Sequence, residues 1–510
     1  MTLRQSMAGL HTWGGLLPSW LLFVILFAGT LACFDKELER WMRPALHEPV
    51  AGSMTADDVS AWLRANVHET LHAYWMHGPT ERAPYWKLGW EEDASEVRGK
   101  AAFDPRTGEP MPETVGGDFF FTLHYNLQAG TPGMYIVGLA GMFMLVALVS
   151  GTIVHRRLFK DFFTLRPQAN GQRAWLDAHN LFGVIGLPFH LVLAYTGVAV
   201  FVSFYMPAGA KVAYGGDPLA FFHEVQGGYH RNELDRPAEP PVPLSGLLAD
   251  ARQRWGGAEL GWIVVEHPSD ASAVVSVRRF DPSRIGAPQD ALSYDATTGE
   301  LLHQQQAPAG YRAYTWLAGL HMAQFGGQLV RILYGLLGLA GCAMLVAGTG
   351  VWLRKREARD GRGVALVRGL NGAVFFGLPI ACLALLWANR LLPETLSARG
   401  AAEGWAFSLG WMAVALLALG WRRTPARLTR TLLALSALLA LGLPVLNGLT
   451  MPDGHLPASL ARGDLALAGV DLVLLAVGAL CAWRAWRRKP EPRDASLPTE
   501  AGVRTPELSR

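Results

Sequence analysis

The chain has 510 residues, of which 51% are hydrophobic and 17% charged, with a formal net charge of +3. A chain this long and this apolar is not one soluble domain. The small positive charge is no nucleic-acid footprint, because the basic residues collect at the ends of apolar runs.

In chain order, eight apolar runs, at about 14–34, 134–154, 181–205, 332–353, 370–392, 405–421, 431–449 and 464–483, are each long enough to cross a hydrocarbon core about 30 Å thick. The first lacks a small-x-small cleavage site before Asp35, Lys36 and Glu37, so it reads as a retained span rather than a signal peptide. Between the runs lie two long segments, 35–133 and 206–327. In the first, MTADDVSAWLRANV reads as a helix, with short strands and a turn from Asp104 to Glu109 after it. In the second, LSGLLADARQRWG is the helix, GWIVVEHP and AVVSVRRFD are strands, and the matching turn runs from Asp295 to Glu300. Both turns read D-x-x-T-G-E, a composition suited to a tight reversal rather than to catalysis.

Every second junction between runs is basic. Arg4 precedes the first, Arg156, Arg157, Lys160, Arg166 and Arg173 follow the second, and Arg354, Lys355, Arg356, Arg359, Arg362 and Arg368 follow the fourth. Arg422, Arg423, Arg427 and Arg430 follow the sixth, and Arg487, Arg488 and Lys489 the eighth. The positive-inside rule then puts both termini in the cytoplasm and both long segments outside, in a bacterial inner membrane. Of the 4 cysteines, Cys33, Cys342, Cys382 and Cys481, no pair brackets a soluble segment, and no CxxCH is present. They read as small buried side chains.

The first 356 residues contain a duplication. Leu123, His124, Gly138, Gly141, Gly151 and Thr152 fall without a gap on Leu320, His321, Gly335, Gly338, Gly348 and Thr349. The preceding spans match as well, with His11, Gly15 and Gly29 on His179, Gly183 and Gly197. Two such units are expected to pack as a four-helix core. The expected fold class is an α-helical polytopic membrane protein of about eight spans, with two small α/β outer domains on this duplicated core. Its expected parts are a first span (1–34), an outer domain (35–133), two spans with a basic loop (134–205), a second outer domain (206–327) and a fourth span (328–356). Four further spans (357–489) and a disordered cytoplasmic tail (490–510) complete it.

Two outer segments ending in D-x-x-T-G-E, bracketed by histidine-bearing spans, resemble the PepSY-associated transmembrane helix family. The stretch HRRLFKDFFTLRP with WLDAHNLFGVIGLPFHLVLAYTG, from His155 to Gly197, is especially similar to it. The resemblance covers about 1–356 and implies PepSY-like outer domains. It also implies reduction of ferric iron, held by a siderophore or other chelate, against those domains.

Six of the 15 histidines, His11, His124, His155, His179, His190 and His321, sit in or beside the first four runs. Ligand-type side chains at membrane depth are functional-site candidates. Haem b between helices needs neutral imidazoles from facing helices, so these six are the candidate axial ligands of about two haems, their iron being the metal. On a straight helix His179 and His190 would share a face roughly 16 Å apart, one for each haem. The inner haem pairs His179 with His11, favoured by the repeat, or with His155. The outer haem draws on the symmetry mates His124 and His321, with His190 pairing with one of them or standing alone. Glycines near 326–327 and Pro132-Gly133 are expected to break the helices and bring the outer pair inward. No G-x-G-x-x-G follows a strand, so the electron donor is a separate cytoplasmic protein or a membrane quinol. The competing readings are an iron or siderophore permease and a non-enzymatic regulator.

Overall fold

The computed structural model describes residues 2–487 except 49–51, 69–70, 93–97, 156–165, 167–170, 216–220, 222–223, 226–228, 360 and 452. The expected tail at 490–510 and the basic residues Arg156, Arg157 and Lys160 lie outside the described residues.

The first span is a broken helix. α1 (Leu3–Leu16) and α2 (Ser19–Ala32) meet at a 60° bend. Pro18 stands in the break, and its missing N–H leaves the carbonyl of Gly14 without its helical partner. After α2 come α3 (Asp35–Met42), α4 (Ala56–Asn66) and the strands β1 (Leu71–His77), β2 (Trp86–Glu92) and β3 (Arg98–Phe103). The chain re-enters through α5 (Asp118–Asn126) and α6 (Gly130–Val154).

The second half follows a similar order. α7 (Gly171–Ile185) and α8 (Leu187–Val200) are bent by 65°, with Gly186 and Pro188 at the break. Laying His11 on His179 puts Pro18 opposite Gly186, so the two breaks fall at equivalent places. α9 (Leu244–Arg254) and the strands β4 (Glu259–Glu266), β5 (Val274–Phe280), β6 (Ala291–Asp295) and β7 (Leu301–Gln305) follow, then α10 (Ala309–Met322) and α11 (Gly327–Arg356). The C-terminal part is α12 (Arg362–Leu391), α13 (Arg399–Gly420), α14 (Pro425–Thr450) and α15 (Leu465–Arg487). Among the described residues, 6 unbroken helices are long and apolar enough to cross a membrane, and 8 spans result if each bent pair counts as one. Counted so, the first and third spans begin at Leu3 and Gly171, before positions 14 and 181 where hydropathy alone placed them.

The two outer segments form one antiparallel sheet, in the order β3-β2-β1-β4-β5-β6-β7. β1 of the first segment pairs with β4 of the second, from Ala73 opposite Glu266 to His77 opposite Trp262. Val59 and Leu63 of α4, Leu247 and Leu248 of α9, and Met76, Leu88, Ile263, Val275 and Leu292 of the strands share one core. The two expected α/β domains thus join edge to edge in a single sheet. Neither set of strands alone covers its inner edge, and β1 and β4 satisfy each other's backbone groups. Both D-x-x-T-G-E segments are the turns expected of them. Gly108 and Gly299 take positive φ (73° and 75°), and their N–H groups donate to the carbonyls of Asp104 and Asp295.

The C-terminal helices buttress the first half. Leu378, Leu385, Phe407 and Leu443 pack in one cluster with Phe23, Trp41, Phe120 and Leu123. They support α2, α3 and α5.

Candidate functional site

The core histidines come together as two pairs from facing helices. His11 on α1 meets His179 on α7 with ring centroids 6.1 Å apart. His124 on α5 meets His321 on α10 at 5.8 Å, their Nε2 atoms facing each other at 3.5 Å. These are the pairs that the repeat relates.

Each ring is oriented through its Nδ1. His11 Nδ1 lies 2.9 Å from the Ala147 carbonyl, His179 Nδ1 2.9 Å from that of Met344, and His124 Nδ1 2.8 Å from that of Ile25. A carbonyl only accepts, so in the neutral imidazole Nδ1 carries the proton and Nε2 is left as a bare lone pair. His321 Nδ1 lies 3.1 Å from Thr196 Oγ1, which itself donates to the Val192 carbonyl at 2.7 Å and so is free to accept from the ring. Ala147 and Met344 are equivalent in the gap-free alignment, so the orienting bonds repeat as well as the histidines. Two bare Nε2 lone pairs 3.5 Å apart repel each other unless a proton or metal ion lies between them.

Glycines on the neighbouring helices make room for the rings. A Cβ at Gly29 would lie 2.7 Å from His124 Nδ1, and one at Gly197 2.7 Å from His321 Cε1. One at Gly151 would lie 2.9 Å from His11 Cε1, and one at Gly348 3.1 Å from His179 Nδ1. Small residues at helix crossings admit bulk that larger ones exclude. Along α11, Gly338 packs on Thr30, next to Gly29 and the outer pair, while Gly348 packs on His179 of the inner pair. Ten residues of helix put the two levels roughly 15 Å apart.

The helices that carry His124 and His321 both stop before the next span: Gly326 and Gly327 stand at the second break as expected, whereas Pro132 and Gly133 lie in the first turn of α6 and the first break falls before them. α5 ends in Leu127 and Gln128 at positive φ (58° and 57°), and α10 ends in Ala323 (52°) before Gly326 and Gly327 (72° and 67°).

His190 stands apart from both pairs. It is fully buried, its Nε2 lies 3.0 Å from the Leu337 carbonyl, and its Nδ1 has no hydrogen-bond partner. The straight helix that would stack it above His179 is broken at Gly186, so the shared-face spacing does not hold. His155 lies half-buried just after α6, its N–H donating to the Gly151 carbonyl at 3.1 Å. The His179 ring meets that of His11.

Sequence reading passed over a buried polar network at the end of the helices nearer the sheet. The Arg390 guanidinium lies 3.8 Å over the Trp41 ring, and its Nε donates to Asn447 Oδ1 at 3.0 Å. Asp471 accepts from Trp41 Nε1 at 3.0 Å and from Asn447 at 3.1 Å. Glu403 accepts from Asn389 and Arg399, each at 2.8 Å, and from Thr114 Oγ1 at 2.6 Å. The available signal was charge inside apolar runs. Beside it, His47 donates from Nε2 to the carbonyls of Arg40 and Trp41, both at 3.1 Å. Burial and the nearby Arg390 hold its pKa down at about 4. A mostly apolar groove of about 750 Å³ runs between α5 and α13, past Leu123, Leu127, Trp405 and Trp411.

Known proteins place this arrangement in a family. An uncharacterized protein of Pseudomonas aeruginosa is 30% identical over 389 residues, 72% of this chain and 94% of that protein. The model of the PepSY-associated TM region matches residues 8–355, the stretch that holds both histidine pairs and the whole sheet. The chain belongs to the PepSY-associated transmembrane family, with four further helices packed against that family's core.

Proposed function

We propose that this membrane protein carries electrons across the bacterial inner membrane through two b-type haems and reduces a ferric chelate, such as a ferric siderophore, on the side of the sheet. His11 and His179 would hold one haem, and His124 and His321 the other. Bound haem supplies a reversible one-electron carrier. The observation that carries the reading is the pair of Nε2 lone pairs of His124 and His321, facing each other at 3.5 Å with each Nδ1 on an acceptor. Metal–imidazole bonds run about 2 Å, so two of them end to end need only slightly more than this separation. The glycine cradles and the repetition of the whole arrangement at a second level support two equivalent sites.

The chain's own groups set the conditions for transfer. The carbonyls of Ala147, Met344 and Ile25 fix the tautomer and keep Nε2 basic. Apolar helices keep water from the rings, and the roughly 15 Å between levels spans much of the bilayer core. Alternating basic junctions support cytoplasmic termini, with the sheet in the periplasm. On this reading the two halves relate by a pseudo-twofold axis along the membrane normal, and the sheet forms the rim where the chelate docks. The donor is a separate cytoplasmic protein or a membrane quinol. The buried charges of α12, α13 and α15 all have polar partners, Arg399 on Glu403, Arg390 on Asn447, Asp471 on Trp41 and Asn447, and Glu403 also on Thr114, which favours a structural role over a permease pathway.

The test is a reduced-minus-oxidised spectrum and a haem-to-protein ratio for the full chain purified from haem-replete cells. Two haems per chain with a b-type α-band are expected. Protein that is folded and free of haem would overturn the proposal.

A further inference from the structure

At the seam of the outer sheet, far in sequence from the paired histidines, lies a second cluster of ligand-type side chains. We infer that His230, Glu266 and His267 form a site for a divalent first-row transition-metal ion. This inference does not depend on the haem reading.

One ligand atom from each of these residues lies within 4.8 Å of the others, and His230 Nδ1 is 3.5 Å from Glu266 Oε2. A metal with bonds of about 2 Å needs its donors roughly 3.3 Å apart in a tetrahedral set. His230 is exposed and can close the difference. The decisive residue is His267. It is 5% exposed, and its Nε2 is buried without a hydrogen-bond partner. Its Nδ1 lies 2.7 Å from Glu233 Oε1, so in the neutral ring Nδ1–H donates to the carboxylate and Nε2 is left as a lone pair. A carboxylate orienting a histidine whose other nitrogen ligates is the usual outer support of a metal site. Glu266 Oε2 is likewise buried without a hydrogen-bond partner, 3.5 Å from His230 Nδ1, so His267 and Glu266 bring two buried acceptor groups to one cluster. Burying both beside each other is costly unless a proton or a metal ion lies between them.

The backbone holds the set in place beforehand. His267 has φ 52°, uncommon for a residue with a Cβ, and its N–H donates to the His72 carbonyl across the β1–β4 seam at 2.8 Å. Asp270 accepts from the N–H groups of Leu234 and Arg236 at 3.0 and 2.9 Å, pinning the loop that bears His230 and Glu233. The His72 ring packs edge-on against His267 at 5.1 Å. Two imidazoles and one carboxylate select borderline ions such as Zn(II) or Fe(II) over Ca(II) or Mg(II), and three protein ligands leave room for water or an incoming group.

The test titrates the chelator-stripped full-length protein in detergent with Zn(II) by calorimetry, beside His267→Asn, Glu266→Gln, Glu233→Gln and His321→Ala. Asparagine tolerates the positive φ at 267, and glutamine keeps the shape at 266, so both should retain the sheet, which far-UV circular dichroism checks. One Zn(II) site is expected in the wild-type protein, weakened at least 100-fold in His267→Asn and Glu266→Gln. Glu233→Gln should weaken it 10- to 100-fold, and His321→Ala should leave it unchanged. No Zn(II) site in the wild type, equal affinity in folded His267→Asn and Glu266→Gln, or loss of the site in His321→Ala overturns the assignment.

Discussion

Adding one methyl group at Gly29 tests the paired-histidine reading without touching a histidine. The new Cβ of Gly29→Ala would lie 2.7 Å from His124 Nδ1 and 2.8 Å from Cε1, closer than side-chain carbons approach. The ring cannot simply swing away, because Nδ1 is tied to the Ile25 carbonyl at 2.8 Å and Nε2 faces His321. Overpacking of this kind costs about 1–3 kcal/mol. If that cost falls on the ligand position, haem is retained roughly 5- to 150-fold more weakly at the outer level. The mirror change Gly197→Ala meets His321 at 2.7 Å and should act alike, whereas Gly151→Ala (2.9 Å) and Gly348→Ala (3.1 Å) press less hard on the inner pair. Gly9→Ala, with nothing within 4 Å, is the control. The assay is haem per chain and the low-spin signature of each level in purified protein. The reasoning is refuted if Gly29→Ala and Gly197→Ala keep the haem content and spectrum of Gly9→Ala.

Four further outcomes are expected. His179→Ala should remove the inner haem and leave the outer one low-spin, read from the spectrum and the haem ratio; full retention would exclude His179 as a ligand. Removing one partner of a buried charge costs about 3–5 kcal/mol, so Asp471→Ala should lower the thermal midpoint in detergent sharply; an unchanged midpoint would contradict the closed network around Arg390. His47, with its pKa held near 4 when folded against 6.5 for the free side chain, takes up a proton more readily when unfolded. Its contribution is therefore intact above about pH 6.5 and lost as the pH falls toward 4, by about 3 kcal/mol in all. The acid loss of stability should be flatter in His47→Gln, and identical pH profiles would refute this. Reporter insertions at the turn glycines Gly108 and Gly299 should both read as periplasmic, and a cytoplasmic signal at either would overturn the orientation.

Much of this protein was legible without coordinates, for reasons of local physics. Membrane spans announce themselves because hydrocarbon tolerates only long apolar runs, and the D-x-x-T-G-E turns because glycine and aspartate meet a demand of the backbone itself. The repeat marked His124 with His321 and His11 with His179 as symmetry mates, but it left His155 and His190 open as alternative partners, and only the fold brings the mates together. What the linear order could not decide depends on partners distant in the chain. A straight helix through His179 and His190 satisfied periodicity, yet Gly186 and Pro188 bend it, and His190 turns to the Leu337 carbonyl of α11 instead. Strand propensity marked β4 and, without bounds, short strands in the first segment, but only packing showed that β1 and β4 complete each other's edge. The same holds for His267 and Glu266. They read as the ordinary end of a strand until folding brings Glu233 and His230 of another segment against them, where burial makes an unpartnered lone pair expensive.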